Sequence, residues 1–150
     1  MDAFARLLRA HAATTRALSA DLVAEHGLTI NDYEALLYLS RAEGRRLKRV
    51  DLAGRLLLTA SGVTRLLEGL ERAGYVKKDA CAADQRVTYA VLTEAGQRKL
   101  EEASRAHLAA IEELFGSVLD DGEIATLAEL LGRLPGAAGV AGADCSVDGS

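Results

Sequence analysis

The stretch Thr59–Arg86, TASGVTRLLEGLERAGYVKKDACAADQR, reads as a helix, a turn and a charged loop closing a hairpin. Thr59 suits a helix N-cap, because its hydroxyl can accept from a backbone N–H left open in the first turn. Val63, Leu66, Leu67 and Leu70 recur at helical spacing and form one buried stripe. Ser61, Thr64, Arg65 and Glu68 fall off that stripe and face outward. A small, hydroxyl-bearing first turn with one arginine suits a DNA major groove, where a helix comes close to base edges and phosphates. Gly74 ends the helix where the backbone needs an unusual angle. Lys77, Lys78 and Arg86 follow on the hairpin, so the stretch predicts the second half of a winged helix-turn-helix.

The residues before it supply the first half. Val50 to Leu57 reads as a short helix with Val50, Ala53 and Leu56 or Leu57 inward, and Leu58-Thr59 as the turn. Two short helices joined by about three residues are a helix-turn-helix. Arg45-Arg46-Leu47-Lys48-Arg49 is either a short edge strand pairing with the hairpin or a loop. Upstream, Thr29 with Asp32 forms a capping-box pattern, with Leu28 and Tyr33 as a hydrophobic staple. That helix buries Leu36, Leu37 and Ser40 and ends near Glu43-Gly44. Phe4, Leu7, Leu8, His11, Thr15, Leu18 and Leu22 recur at three- and four-residue steps, an amphipathic helix over residues 2–25 closed by His26-Gly27.

Beyond the helix Tyr75-Val76-Lys77-Lys78 and Val87–Leu92 read as strands, one face of the second for the core. The wing loop runs from Asp79 to Arg86. Thr93 caps a long helix with Leu100, Ala103, His107, Ala110, Ile111, Leu114 and Phe115 on its apolar side, reaching Val118. Asp120 and Glu123 form a second capping-box pattern. The helix it opens uses Ile124, Leu127, Leu130, Leu131 and Leu134, and Pro135-Gly136 stops it. From there the chain is Gly, Ala, Ser and Asp without apolar period, which predicts a disordered tail over 135–150. The fold class is mainly α with a small β-hairpin wing, and residues 1–134 form one domain.

The 150 residues carry a net charge of −4, unevenly spread. From Arg41 to Tyr89 eleven Lys/Arg face six Asp/Glu, a net of +5, while the remainder has seven against sixteen, a net of −9. A local basic patch binds phosphates even on an acidic protein, because screening limits distant charge to about 10 Å. No Gly-rich phosphate loop, metal cluster or nucleophile arrangement stands out, and His11, His26 and His107 are scattered. The expectation is a non-enzyme without cofactor, metal or catalytic residue. Cys81 and Cys145 have no metal-ligand spacing, which points to free thiols in a reducing cytoplasm. No membrane span or secretory signal is evident, so no membrane partner is expected.

The chain resembles the MarR family of bacterial transcriptional regulators over residues 4–134. The resemblance rests on the helix order, on SGVTRLLEGLERAGYV, on Asp84-Gln85-Arg86 as the wing signature Asp-x-Arg, and on the helix start LTEAG at Leu92–Gly96. It implies an obligate homodimer, with residues 28–92 as the winged core and 2–26 and 93–134 as dimerisation helices. The residues permit this independently, since the flanking helices carry more apolar surface than one small winged domain could cover. A two-fold dimer is expected to read an inverted repeat of double-stranded DNA with half-sites about one turn apart.

Position assigns the DNA contacts to Thr59, Ser61, Thr64, Arg65, Lys77, Lys78, Asp84 and Arg86. Ser61, Thr64 and Arg65 meet the major groove; Arg86 enters the minor groove, where a narrow A/T-rich stretch attracts a cation. Asp84 orients Arg86, because a bare carboxylate near phosphates is repelled. The resemblance also implies repression relieved by a small phenolic or aromatic acid, with His11, Thr15, Arg16, Tyr33 and Tyr38 as pocket lining. Two other readings stay open: a winged-helix adaptor that contacts only proteins, and a thiol-based redox sensor through Cys81, whose cationic neighbours favour a thiolate.

Overall fold

The computed structural model describes residues 1–84 and 86–137. The chain forms two compact units, Met1–Ile111 and a second beginning at Glu112. The first holds α1 (Asp2–His26), α2 (Ile30–Arg41), α3 (Arg49–Arg55), α4 (Ala60–Arg72) and the greater part of α5 (Glu94–Gly116). It also holds β1 (Arg46–Lys48), β2 (Val76–Ala80) and β3 (Thr88–Leu92). The second unit contains α6 (Asp121–Gly132).

The helix boundaries follow from local chemistry. Thr29 and Asp32 cap α2 reciprocally: Asp32 N–H donates to Thr29 Oγ1 at 3.1 Å, and Thr29 N–H donates to Asp32 Oδ2 at 2.8 Å. Asp120 and Glu123 do the same for α6. Thr93 serves two helices. Its hydroxyl accepts from Gly96 N–H at 3.0 Å and donates to Gly74 O at 2.6 Å, tying the end of α4 to the start of α5. Gly74 itself sits at φ 79°, a left-handed angle that closes α4. Two ends fall earlier than the spacing suggested. α2 stops at Arg41, where Ala42 is already extended, and α6 stops at Gly132, three residues ahead of Pro135.

Within the charged run Arg45–Arg49, Arg46–Lys48 form a strand. β1 pairs antiparallel with β3, Leu47 opposite Ala90, and β2 lies on the other side of β3, giving the order β1-β3-β2. Ala90 and Leu92 are the buried face of β3. Below the sheet sits a core in which Leu22, Leu36, Leu39, Leu52 and Leu67 are fully buried. Each such side chain contributes about 1.5–3 kcal/mol of transfer free energy.

α3 keeps Ala53 and Leu56 of the inward face read from its sequence and corrects Val50, with Leu52 facing inward instead. Leu52 is buried completely and Leu56 almost so, whereas Val50 is 74% and Leu57 81% exposed. The helix ends at Arg55, so the inward stripe is the i, i+4 pair Leu52/Leu56 and Leu57 already belongs to the turn. In the second unit Ile124 and Leu127 are half-buried, while Leu130, Leu131 and Leu134 are exposed. Most of the tail expected from residue 135 lies outside the described residues.

Candidate nucleic-acid interface

The turn between α3 and α4 is set by backbone bonds. Leu57 N–H donates to Gly54 O at 3.3 Å and Leu58 N–H to Ala53 O at 3.0 Å, the paired bonds of a Schellman motif. Leu57 occupies the left-handed position at φ 54°. Thr59 then caps α4, accepting from Gly62 N–H at 3.1 Å, with Ser61 Oγ 3.2 Å from its hydroxyl. Val63, Leu67 and Leu70 face the core, and Leu66 is half-buried. This leaves Thr59, Ser61, Arg65 and Glu68 exposed on the outer side of α4. Thr64 is half-buried and its hydroxyl is engaged twice. It donates to Ala60 O at 2.8 Å and accepts from Arg49 Nη2.

The wing loop is pinned at its base, where Cys81 N–H donates to Val87 O at 3.0 Å. Asp84 O accepts from Val87 N–H at 3.0 Å. Asp84 Oδ1 accepts both the backbone N–H of Arg86, at 3.0 Å, and its Nε–H, at 3.3 Å. The Arg86 side chain remains 93% exposed. Lys77 is exposed on β2; Lys78 pairs with Glu71 at 3.4 Å. Between α3, the first turn of α4 and the wing base lies a cleft of about 620 Å³ whose walls include Arg49, Val50, Ala60, Thr64, Arg86 and Val87. The recognition-type helix and the wing arginine thus edge one hollow.

This arrangement has counterparts. A model of the MarR family matches residues 26–87. AbsC, a MarR family transcriptional regulator from Streptomyces coelicolor, is 30% identical, with 87% of this chain and 90% of that one aligned at a TM-score of 0.74. The chain belongs to the MarR family. It is a transcriptional regulator of that family. The regulator MhqR of Bacillus subtilis is 29% identical over 110 residues, 73% of this chain and 74% of that protein. Sco3205, a MarR family regulator from Streptomyces coelicolor crystallised with DNA, shares the fold at a TM-score of 0.80 and 24% identity over 85% of this chain and 80% of that one.

In this MarR-family chain, the residues read as ligand lining do not gather. His11 and Arg16 are exposed on α1 and Thr15 is half-buried. Tyr33 is buried, its Oη 3.1 Å from Ser104 Oγ and its ring centroid 4.6 Å from that of His107. Tyr38, five residues on and so about 140° around α2, lies beneath the Arg55 guanidinium at 5.7 Å. Burial lowers the His107 pKa, holding the ring neutral against Tyr33. Cys81 is half-buried, and Cys145 lies outside the described residues.

Lys48 and Arg49 are cleft residues that the spacing did not single out. Both line the cleft, and Arg49 reaches Thr64 from the start of α3. Their signal was a charge run read only for its backbone. No helix among the described residues is long and apolar enough to cross a membrane.

Proposed function

We propose that this MarR-family protein is a homodimeric repressor that reads an inverted-repeat operator in double-stranded DNA and is released by a small aromatic acid. The observation that carries the DNA reading is the shared hollow. Ala60 and Thr64 on the first turns of α4 and exposed Arg86 on the wing line one cleft together with Lys48 and Arg49, and Ser61 and Arg65 are exposed on those same turns. Two cationic reaching points flanking a helix start suit simultaneous contact with a major groove and a neighbouring minor groove. Thr59 supports α4 from its cap, Asp84 holds Arg86, and Lys77 and Lys78 add cations along β2. Sco3205 crystallised with DNA on the same fold supports the reading.

Dimerisation is supported by α1. Residues 1–13 are exposed throughout, and Phe4 and Leu8 are 63% and 52% exposed. An apolar helix face of this length calls for a cover, and a second copy supplies a matching face. Release by an acid rests on Arg16, which is exposed on α1 with no carboxylate partner among the described residues, so an incoming carboxylate meets a cation there. His11, Thr15, Tyr33 and Tyr38 complete the proposed pocket wall only once a second copy or a ligand rearranges them.

Sequencing the duplex retained by the purified protein, then titrating it at several salt concentrations, tests the core of the proposal. Steeply salt-dependent, sequence-selective binding is expected. Binding independent of salt, or none, would favour a protein-only adaptor. A benzoate and 4-hydroxybenzoate series that neither shifts the melting temperature nor weakens operator binding would remove the ligand clause alone.

A further inference from the structure

A second arginine-lined hollow lies on the other side of α3. It measures about 650 Å³, and its walls include Arg41, Glu43, Arg46, Leu47, Arg55 and Tyr89. α3 separates it from the first cleft: Val50, Ala53 and Gly54 line the first, whereas Arg55 lies about 140° around the helix from Val50.

The arginines here are braced. The Arg46 guanidinium lies 3.9 Å from the Tyr89 ring centroid, and that of Arg55 lies 5.7 Å from Tyr38. Stacking on an aromatic face fixes a guanidinium plane while leaving its in-plane N–H groups open. Arg46 is further held by Asp79 at 3.5 Å, across the strand register that sets Asp79 opposite Tyr89. Among the described residues neither Arg41 nor Arg55 has a carboxylate within ion-pair distance. Three guanidinium groups therefore share one concave wall with Glu43, and among the described residues only Arg46 of the three is answered by a carboxylate, that of Asp79. Like charges held together on one exposed wall repel, and an anion relieves that repulsion.

We propose that this hollow binds the phosphate group of a small molecule, with Arg41 and Arg55 as the principal donors and Arg46 as a fixed third. Guanidinium forks match phosphate oxygens bidentately, and a phosphate carries enough charge to answer two unpaired arginines. The volume falls within the range of small-molecule sites, roughly 300–1,000 Å³. The position on the far side of α3 sets it apart from the surface proposed to face DNA.

Isothermal titration of the full chain at moderate salt, with inorganic pyrophosphate in one arm and adenosine monophosphate in the other, tests this. Saturable binding of one probe per chain is expected in at least one arm, and the stronger arm identifies free phosphate or a nucleotide as the source. The double variant Arg41→Gln/Arg55→Gln is expected to weaken binding by about tenfold or more. Arg65→Ala, on α4, is expected to leave it unchanged. Tyr89→Phe keeps the brace under Arg46 and retains binding, while Tyr89→Leu loses part of it. The variants' melting curves verify folding. Absence of saturable heat in both arms would overturn the proposal. So would a folded double variant that binds like the parent, or displacement of the probe by operator duplex together with weakening by Arg65→Ala.

Discussion

Asp84 and Arg86 are joined twice through one carboxylate oxygen, which accepts the Arg86 backbone N–H at 3.0 Å and its Nε–H at 3.3 Å. The carboxylate aims an otherwise solvated guanidinium and neutralises part of its charge. Arg86→Ala is therefore expected to weaken operator binding by about tenfold and to lower the salt-dependence slope by about one. Asp84→Ala removes the aim but also frees the charge that the carboxylate offsets, so its loss is expected to be smaller, with an unchanged oligomeric state by light scattering. Titration at three salt concentrations distinguishes the two. Equal affinity of the Arg86 variant and the parent would displace the wing from the interface.

Leu57 sits at φ 54° with its side chain 81% exposed, in a turn position that glycine occupies without strain. Leu57→Gly is expected to raise folding stability by about 1 kcal/mol, because relief of the left-handed strain outweighs the added freedom of the unfolded chain. A higher denaturation midpoint at an unchanged slope is the signature. A lower midpoint would mean that the leucine makes a stabilising contact of its own.

Gly96 is required by space. A Cβ there would stand 2.1 Å from Tyr75 O and 2.7 Å from Leu92 Cδ1, where the start of α5 meets the start of β2. Gly96→Ala is expected to destabilise by about 3 kcal/mol, since the obstacle is backbone that cannot turn aside. Gly69 offers the contrast. It lies inside α4 with nothing within 4 Å of an added Cβ, so Gly69→Ala is expected to stabilise by roughly 0.5–1 kcal/mol. Thermal denaturation of the pair checks both signs.

His107 packs against Tyr33 of α2 and borders a small hollow with Asp21, Glu25 and His26 of α1. Burial depresses its pKa in the folded state. The unfolded chain, with an ordinary imidazole, therefore binds more protons once the pH falls below about 6.5. The stability contributed by the neutral ring is complete above that value and is lost as the pH falls toward the lower folded pKa. Denaturation midpoints should fall between about pH 7.5 and about pH 5, and His107→Phe should flatten that fall. An unaltered slope in the variant would assign the pH dependence to other groups.

Local chemistry was legible wherever a side chain acts within a few residues of itself. Thr29 with Asp32, Asp120 with Glu123, and Thr59 all cap where their spacing placed them, because a capping bond spans only three residues. The α4 stripe was legible for the same reason: helical period alone decides which of Val63, Leu67 and Leu70 share a face. α3 was harder. Seven residues hold too few turns for period to select one stripe, and Val50 is exposed because Leu52, about 200° around the helix from it, faces the core.

The sequence by itself determined the helix order, the caps, the wing arginine and its Asp-x-Arg setting, since each is written in neighbouring residues. Only the tertiary structure decided that Arg49 reaches Thr64, that Tyr33 turns to Ser104 and His107 rather than to Tyr38, and that Arg41, Arg46 and Arg55 meet in one hollow. Those partners lie 15 residues apart for Arg49 and Thr64 and 71 for Tyr33 and Ser104. Such contacts depend on how helices and strands pack against a common core, and no local period records that packing.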